Sequence, residues 1–258
     1  MSLPMPSNDL PMPPVPLRRS VGVEDEAFFE NPHGLPVFGD DLRPSDYESV
    51  LDFGCGCGRI ARQLLLQHAH RPQRYLGVDL FRPSIEWCQQ NLTPHAPHFE
   101  FRHLNAYNPG LNPEGVAQAS IQSAEQFSLV NAHSVFTHIL EPHISFYFEQ
   151  AVSRLGAGGV LRATWFLFDK QLFPMLQTFQ NCLYINPDDL TNATIYDLEF
   201  VKALYARYGL RMYQIHRPYL RGHQWLIYAR RDAGPDVPFP ADDGPIGLAR
   251  PPVRMVDD

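Results

Sequence analysis

The residues best placed to do chemistry begin at Asp52, where Asp52-Phe53-Gly54-Cys55-Gly56-Cys57-Gly58 sets an acid before three glycines that alternate with other residues. Glycine at these places permits positive φ and lets a ligand lie directly against the main chain. A second acid, Asp79, follows 21 residues after Gly58. A carboxylate there, at the end of the next strand, can accept from the hydroxyls of a ribose. Two adenosyl ligands compete for such a loop. A nicotinamide dinucleotide asks for G-x-G-x-x-G, and here the third glycine arrives one place early, with Arg59 where it belongs. It also brings a pyrophosphate to the helix N-terminus, which Asp52 would repel. S-adenosylmethionine brings a cationic sulfonium and amino group, so both spacing and charge favour it.

Hydrophobic periodicity shows which elements must position these groups. Residues 49–53 are short and apolar, as a strand buried on both faces requires. The following stretch turns Ile60, Leu64 and Leu65 to one side and Arg62 and Gln63 to the other, the pattern of an amphipathic helix. Then come a strand at 74–80, a helix from Arg82 with Pro83 in its first turn, a strand at 98–104, and a loop with a short helix over 105–123. A strand at 126–132, a helix opened by Pro142 and closed by Gly156, Gly158 and Gly159, and a strand at 160–168 complete the series. Such alternation predicts a Rossmann-like α/β fold, a mostly parallel sheet with helices on both faces. Residues 168–195 break the rhythm, and 194–209 reads as a helix. The last two strands, 210–217 and 223–231, are joined by the tight connection Pro218 to Gly222, too short for a parallel crossover, so they should pair antiparallel. Seven strands are expected in all, ending in that hairpin.

Several segments resemble, in order, the successive motifs of class I S-adenosylmethionine-dependent methyltransferases: VLDFGCGCGRIARQL (50–64), GVDLFRPSIEWCQQN (77–91), SVFTHI (134–139) and RLGAGGVLRATWF (154–166). The similarity is to bacterial small-molecule methyltransferase domains and spans roughly residues 21–231, including RGHQWLIYARR (221–231). The resemblance implies that Gly54, Gly56 and Gly58 cradle the aminoacyl end of S-adenosyl-L-methionine. It implies that Asp52 orders the loop or meets the amino group through water, and that Asp79 accepts from both ribose hydroxyls. Phe81, Asn105 and Ala106 would flank the adenine, and Ala132 and His133 would approach the methionine portion. One position departs from the family pattern: Ser128 follows Phe127 where aspartate is common.

Methyl transfer is an in-line displacement, so holding the acceptor, excluding water and removing the acceptor proton can do much of the work. A hydroxyl acceptor benefits from a general base. His133, His138 and His143 follow the fourth strand. His133 is the stronger base candidate because it sits at that strand's carboxyl end, where open α/β sheets bind ligands. His138, the second catalytic candidate, could equally serve as a helix-start residue bonded to backbone. Trp165, Phe166 and Phe168 end the fifth strand, and Tyr184 and Tyr196 bracket the irregular segment. Either they fill core space or they form an acceptor pocket and lid, with Phe28 and Phe29 closing the other side.

Composition narrows the class of protein further. Net charge is −7, and no basic cluster exceeds a pair, which disfavours nucleic acid as a partner. No apolar run approaches the roughly 18 residues of a membrane span, and the N-terminus lacks the order of a signal peptide. A cytoplasmic protein is expected. The four cysteines lack zinc-site spacing and read as small, buried, reduced thiols, with no metal. Of 25 prolines, six lie in residues 1–16 and six in 235–252, so residues 1–20 read as a proline-rich leader and 232–258 as an acidic tail, neither helical. The 211 residues between suffice for one such domain. The expected activity is methylation of a small-molecule acceptor, with a hydroxyl slightly favoured. An NAD(P)-dependent oxidoreductase, or a methyltransferase-like binding domain without catalysis, are the alternatives.

Overall fold

The computed structural model describes residues 10–39, 42–173, 175–218 and 224–240. The chain divides into two compact units, the first formed by residues 1–132 and 150–160, the second by 133–149 and 161–258.

In the first unit a short helix, α1 (Val15–Ser20), occupies the leader that the sequence left without a helix. Pro16 falls in its first turn, where the missing N–H is not needed and the fixed φ suits the helix. The unit then alternates: β1 (Ser49–Phe53), α2 (Arg59–Leu66), β2 (Arg74–Asp79), α3 (Arg82–Asn91), β3 (Phe99–His103) and β4 (Phe127–Ala132). All the pairings are parallel, β1 with β2 and β4, and β2 with β3. Leu51 lies opposite Leu76 on one side and Val130 on the other, and all three are fully buried. Residues buried on both faces explain why these strands read as unbroken apolar runs. The Tyr75 and Phe99 rings stack at 4.6 Å across β2 and β3. Ser128, the family departure, joins the starts of β1 and β4: its hydroxyl lies 2.9 Å from the Ser49 N–H, and its own N–H donates to Ser49 Oγ.

One side of α2 differs from expectation. Arg62 is buried, not outward, because its guanidinium donates to the carbonyls of Leu10, Pro11 and Phe29 and pairs with Glu30 at 3.0 Å. Charged groups go inside only when so satisfied. The short helix expected in 105–123 is absent; the chain there closes on itself through bridges between Ala106 and Val116 and between Asn108 and Asn112.

Two elements cross from unit to unit, α4 (Glu141–Val152) and β5 (Leu155–Phe168). β5 begins five residues before its expected start, so Gly156, Gly158 and Gly159 lie within a strand and do not cap the helix. A side chain at Gly159 would sit 2.9 Å from the Phe127 carbonyl, which is the reason for glycine. The second unit adds β6 (Cys182–Tyr184), β7 (Thr194–Asp197), α5 (Leu198–Arg207), β8 (Arg211–His216) and β9 (Trp225–Arg230). β5 pairs antiparallel with β9 and parallel with β7, and β6 and β8 join antiparallel to β7 and β9. The strands therefore number nine among the described residues. The additional two come from the irregular segment: Thr194-Ile195-Tyr196 is β-branched and aromatic, and it pairs with β5 before Asp197 caps α5 by accepting from the Phe200 N–H. The terminal hairpin is antiparallel as expected, while most of its connection, 219–223, lies outside the described residues, as do 1–9 and 241–258 of the two tails. Among the described residues no helix is long and apolar enough to cross a membrane.

Candidate active site

The glycine loop leaves β1 and is tied to the end of β2. The N–H groups of Gly54 and Cys55 both donate to the Val78 carbonyl, and Gly56 N–H donates to Asp79 Oδ2 at 2.8 Å. Gly56 has φ of 53°, and a methyl group there would lie 2.3 Å from Val21 Cγ1, so the residue after α1 rests on the loop. Gly58 starts α2 in the left-handed conformation, packed against Leu92 and Cys88.

Asp79 is half-buried, and its second oxygen accepts from the Phe81 N–H at 2.8 Å. Burial pushes its carboxyl up from the ordinary value, against the pull of the Phe81 and Gly56 N–H groups and the nearby His103. A carboxylate offers about four lone-pair positions. The Gly56 and Phe81 N–H groups use one on each oxygen, the Leu80 N–H also bonds the carboxylate, and capacity remains for a further donor. Phe81 caps α3 and is half-buried, Asn105 is exposed with its Oδ1 accepting from Asn112 Nδ2 at 3.2 Å, and Ala106 is buried. Ala132 is buried at the end of β4.

Asp52 departs from the expected place at the loop entrance. It is 1% exposed inside the sheet, where its oxygens accept from Tyr75 Oη on β2 and Asn131 Nδ2 on β4, both at 2.6 Å. Its action on the loop is therefore to tie together the three strands beneath it. Burial, with the Asp52 charge second, pushes the Tyr75 phenol well above its ordinary range, so it stays a donor. Neither partner was singled out from the sequence. The available signal was a polar residue, Asn131, within an otherwise buried strand. The loop thiols Cys55 and Cys57 are buried, as is Cys88, and burial raises all three, Cys57 to about 12, which keeps them protonated and unreactive.

In the second unit His133 is half-buried directly after β4, and His138 is exposed, its Nδ1 2.8 Å from the Thr191 carbonyl. The aromatic residues divide by burial. Trp165, Phe168 and Tyr196 are fully buried: Trp165 meets Tyr196 edge-on at 5.6 Å and donates its Nε1–H to Tyr205 Oη at 3.0 Å, while Phe168 packs on Phe173. Phe29, in the first unit, is likewise fully buried. These four are packing residues here and offer no surface to a ligand. Phe28 and Tyr184 remain exposed.

Residues 51–161 match the family model of a methyltransferase domain. An O-methyltransferase family protein from Burkholderia thailandensis is 14% identical, with a TM-score of 0.51 over 85% of this chain and 57% of that one. A SAM-dependent methyltransferase from Methanosarcina mazei is 15% identical, with a TM-score of 0.50 over 75% of this chain and 96% of that one. Identities this low speak to fold alone. The matched residues 51–161 take in the glycine loop, Asp79 and β4, and the mostly parallel α/β sheet with an antiparallel end is the fold of the solved methyltransferases that the chain resembles.

Proposed function

We propose that this protein methylates a small-molecule acceptor at the expense of S-adenosylmethionine, with a hydroxyl as the favoured acceptor group. The residues fit that cofactor. Asp79 is pinned by the Gly56 and Phe81 N–H groups, with that of Leu80 also bonding it, and it keeps accepting capacity for a ribose hydroxyl, and this is the observation that carries the reading. Gly54, Gly56 and Gly58 hold the main chain in positive φ for the aminoacyl end, Phe81, Asn105 and Ala106 take the adenine, and Ala132 and His133 the methionine portion. The bound cofactor supplies a methyl group activated on a sulfonium. The protein's own part is to orient the acceptor and take its proton, for which His133 and His138 are the titratable groups following β4.

The test is binding of S-adenosylhomocysteine and NADH to the full chain by calorimetry, followed by transfer from methyl-labelled S-adenosylmethionine to a panel of phenols, thiols and amines. S-adenosylhomocysteine should bind and NADH should not. The reverse result establishes the oxidoreductase alternative, and binding without transfer across the panel establishes the non-catalytic one.

A further inference from the structure

Ser134, two residues beyond β4, stands in the left-handed region with φ of 57°, a conformation that serine adopts rarely and only where its surroundings impose it. The imposing groups come from far along the chain. Its N–H donates to Thr164 Oγ1 at 2.7 Å, on β5, and Thr164 is 3% exposed. Because Thr164 Oγ1 accepts there, its own proton goes to Gln224 Oε1, a partner it also touches. The other end of that amide, Gln224 Nε2, donates back to Ser134 Oγ at 2.7 Å. The serine oxygen therefore accepts from the amide, and its own proton is free for one of two neighbours at 3.5 Å, His138 Nε2 and Thr137 Oγ1.

His138 is constrained from its opposite side. The Thr191 carbonyl, 2.8 Å from Nδ1, can only accept, so Nδ1 carries the proton and Nε2 of the neutral ring is a bare lone pair on the side of Ser134. Thr191 is itself fixed by Asp189, whose Oδ1 accepts from the Thr191 N–H at 3.0 Å and from its hydroxyl at 2.6 Å. The direction of donation is thus set at both ends by groups that cannot reverse, the Ser134 N–H and the Thr191 carbonyl.

We infer that His138 is the proton acceptor, held as the Nδ1-protonated imidazole by the Asp189-pinned Thr191 carbonyl, with Ser134 and Gln224 presenting a hydroxyl to its Nε2. Its role rests on the methyltransferase reading above; its geometry does not. An acceptor hydroxyl loses its proton to Nε2 directly, or through Ser134 Oγ, which passes its own proton on and takes the acceptor's. In either case one O–H bond breaks, one N–H bond forms, the ring becomes imidazolium, and the acceptor oxygen keeps the electron pair. The 3.5 Å separation is long for a hydrogen bond, as it commonly is before substrate tightens such a pair. Ser134, Thr164, Gln224, Thr191 and Asp189 are positioning residues, and His138 is the catalytic one.

Nitrogen-15 NMR of the histidine side chains in the full chain tests the inference, with His138→Asn assigning the signal and a pH well above the ordinary imidazole value of about 6.5. His138 should show a protonated Nδ1 and a bare Nε2, the reverse of the tautomer that free histidine prefers in water. Asp189→Ala should return it toward the free-histidine mixture, and Asp189→Asn, which keeps the accepting Oδ1, should not. Ser134→Ala should leave the tautomer in place while shifting the Nε2 resonance toward its unbonded position. An Nε2-protonated wild-type ring, or an Asp189→Ala spectrum like the wild type's, overturns the inference. S-adenosylhomocysteine affinity, measured on the same samples, should be unchanged by every one of these variants. Its absence in the wild type would sink the methyltransferase reading separately, whatever the tautomer.

Discussion

Replacing Gly56 by alanine tests whether the leader and the glycine loop form one packed object. Two separate costs follow from the structure. A residue with a Cβ pays about 1–2 kcal/mol to hold the left-handed conformation that Gly56 has at φ of 53°. The new methyl also lies 2.3 Å from Val21 Cγ1, an overlap of the kind that costs about 1–3 kcal/mol to relieve. Gly56→Ala should therefore destabilise the first unit by about 2–5 kcal/mol. Only the second cost disappears when Val21 is shortened. Val21→Ala alone should lose roughly 1 kcal/mol at a half-buried site, yet in the Gly56→Ala background it should recover most of the overlap, a favourable coupling of about 1–3 kcal/mol in the double-mutant cycle. Native-state hydrogen exchange, read by mass spectrometry on peptides covering β1 and α2, measures the opening free energy of this unit without interference from the other. Additive effects of the two substitutions would refute the reasoning, because they would mean that Val21 does not rest on the loop.

Two further outcomes follow from the carboxylates. Asp79 is raised by burial, so the charged form is disfavoured in the fold, and this group adds stability as pH falls through the window from its raised value down to the ordinary carboxyl range. Ribose hydroxyls would donate to the charged form, so S-adenosylhomocysteine affinity should weaken over the same descent, and calorimetry there should show proton release as a heat that varies with buffer ionisation enthalpy; a flat affinity profile down to pH of about 4 contradicts the role given to Asp79. Tyr75→Phe removes the O–H that Asp52 accepts at 2.6 Å inside the sheet, and should cost the first unit about 1.5–3 kcal/mol in opening free energy. A loss below about 0.5 kcal/mol, the range of an inconsequential surface change, would show that Asp52 does not need this donor.

Much of the first unit was legible because its determinants are local. A buried parallel strand is a short apolar run, a glycine loop is a spacing, and an acid 21 residues on is a count along the chain. The segment at 194–197 was harder: Thr194 to Asp197 precedes a strong helix without a break, and whether it extends that helix or pairs as a strand depends on the edge offered by β5. Arg62 shows the same limit in a side chain. Its place on a helix wheel says outward, and only the three carbonyls of Leu10, Pro11 and Phe29 make the interior acceptable to a guanidinium. The aromatics Trp165 and Phe168 were placed at the end of β5 correctly, but their being walled in by Tyr205 and Phe173 is a packing outcome with no signature in spacing.

From sequence alone came the class of fold and the expectation of an adenosyl ligand with Asp79 as the acid to receive it, because period, glycine spacing and charge act within a few residues or one β-α unit. Tertiary structure alone decided what the remaining polar groups do. Asp52 became a tie within the sheet once Tyr75 and Asn131 stood beside it, and His138 acquired a defined proton position from a carbonyl 53 residues away. Ser134 is held by residues 30 and 90 positions distant. A hydrogen bond has a direction and a range of about 3 Å, so which groups donate and which accept is settled only when the chain has brought them that close.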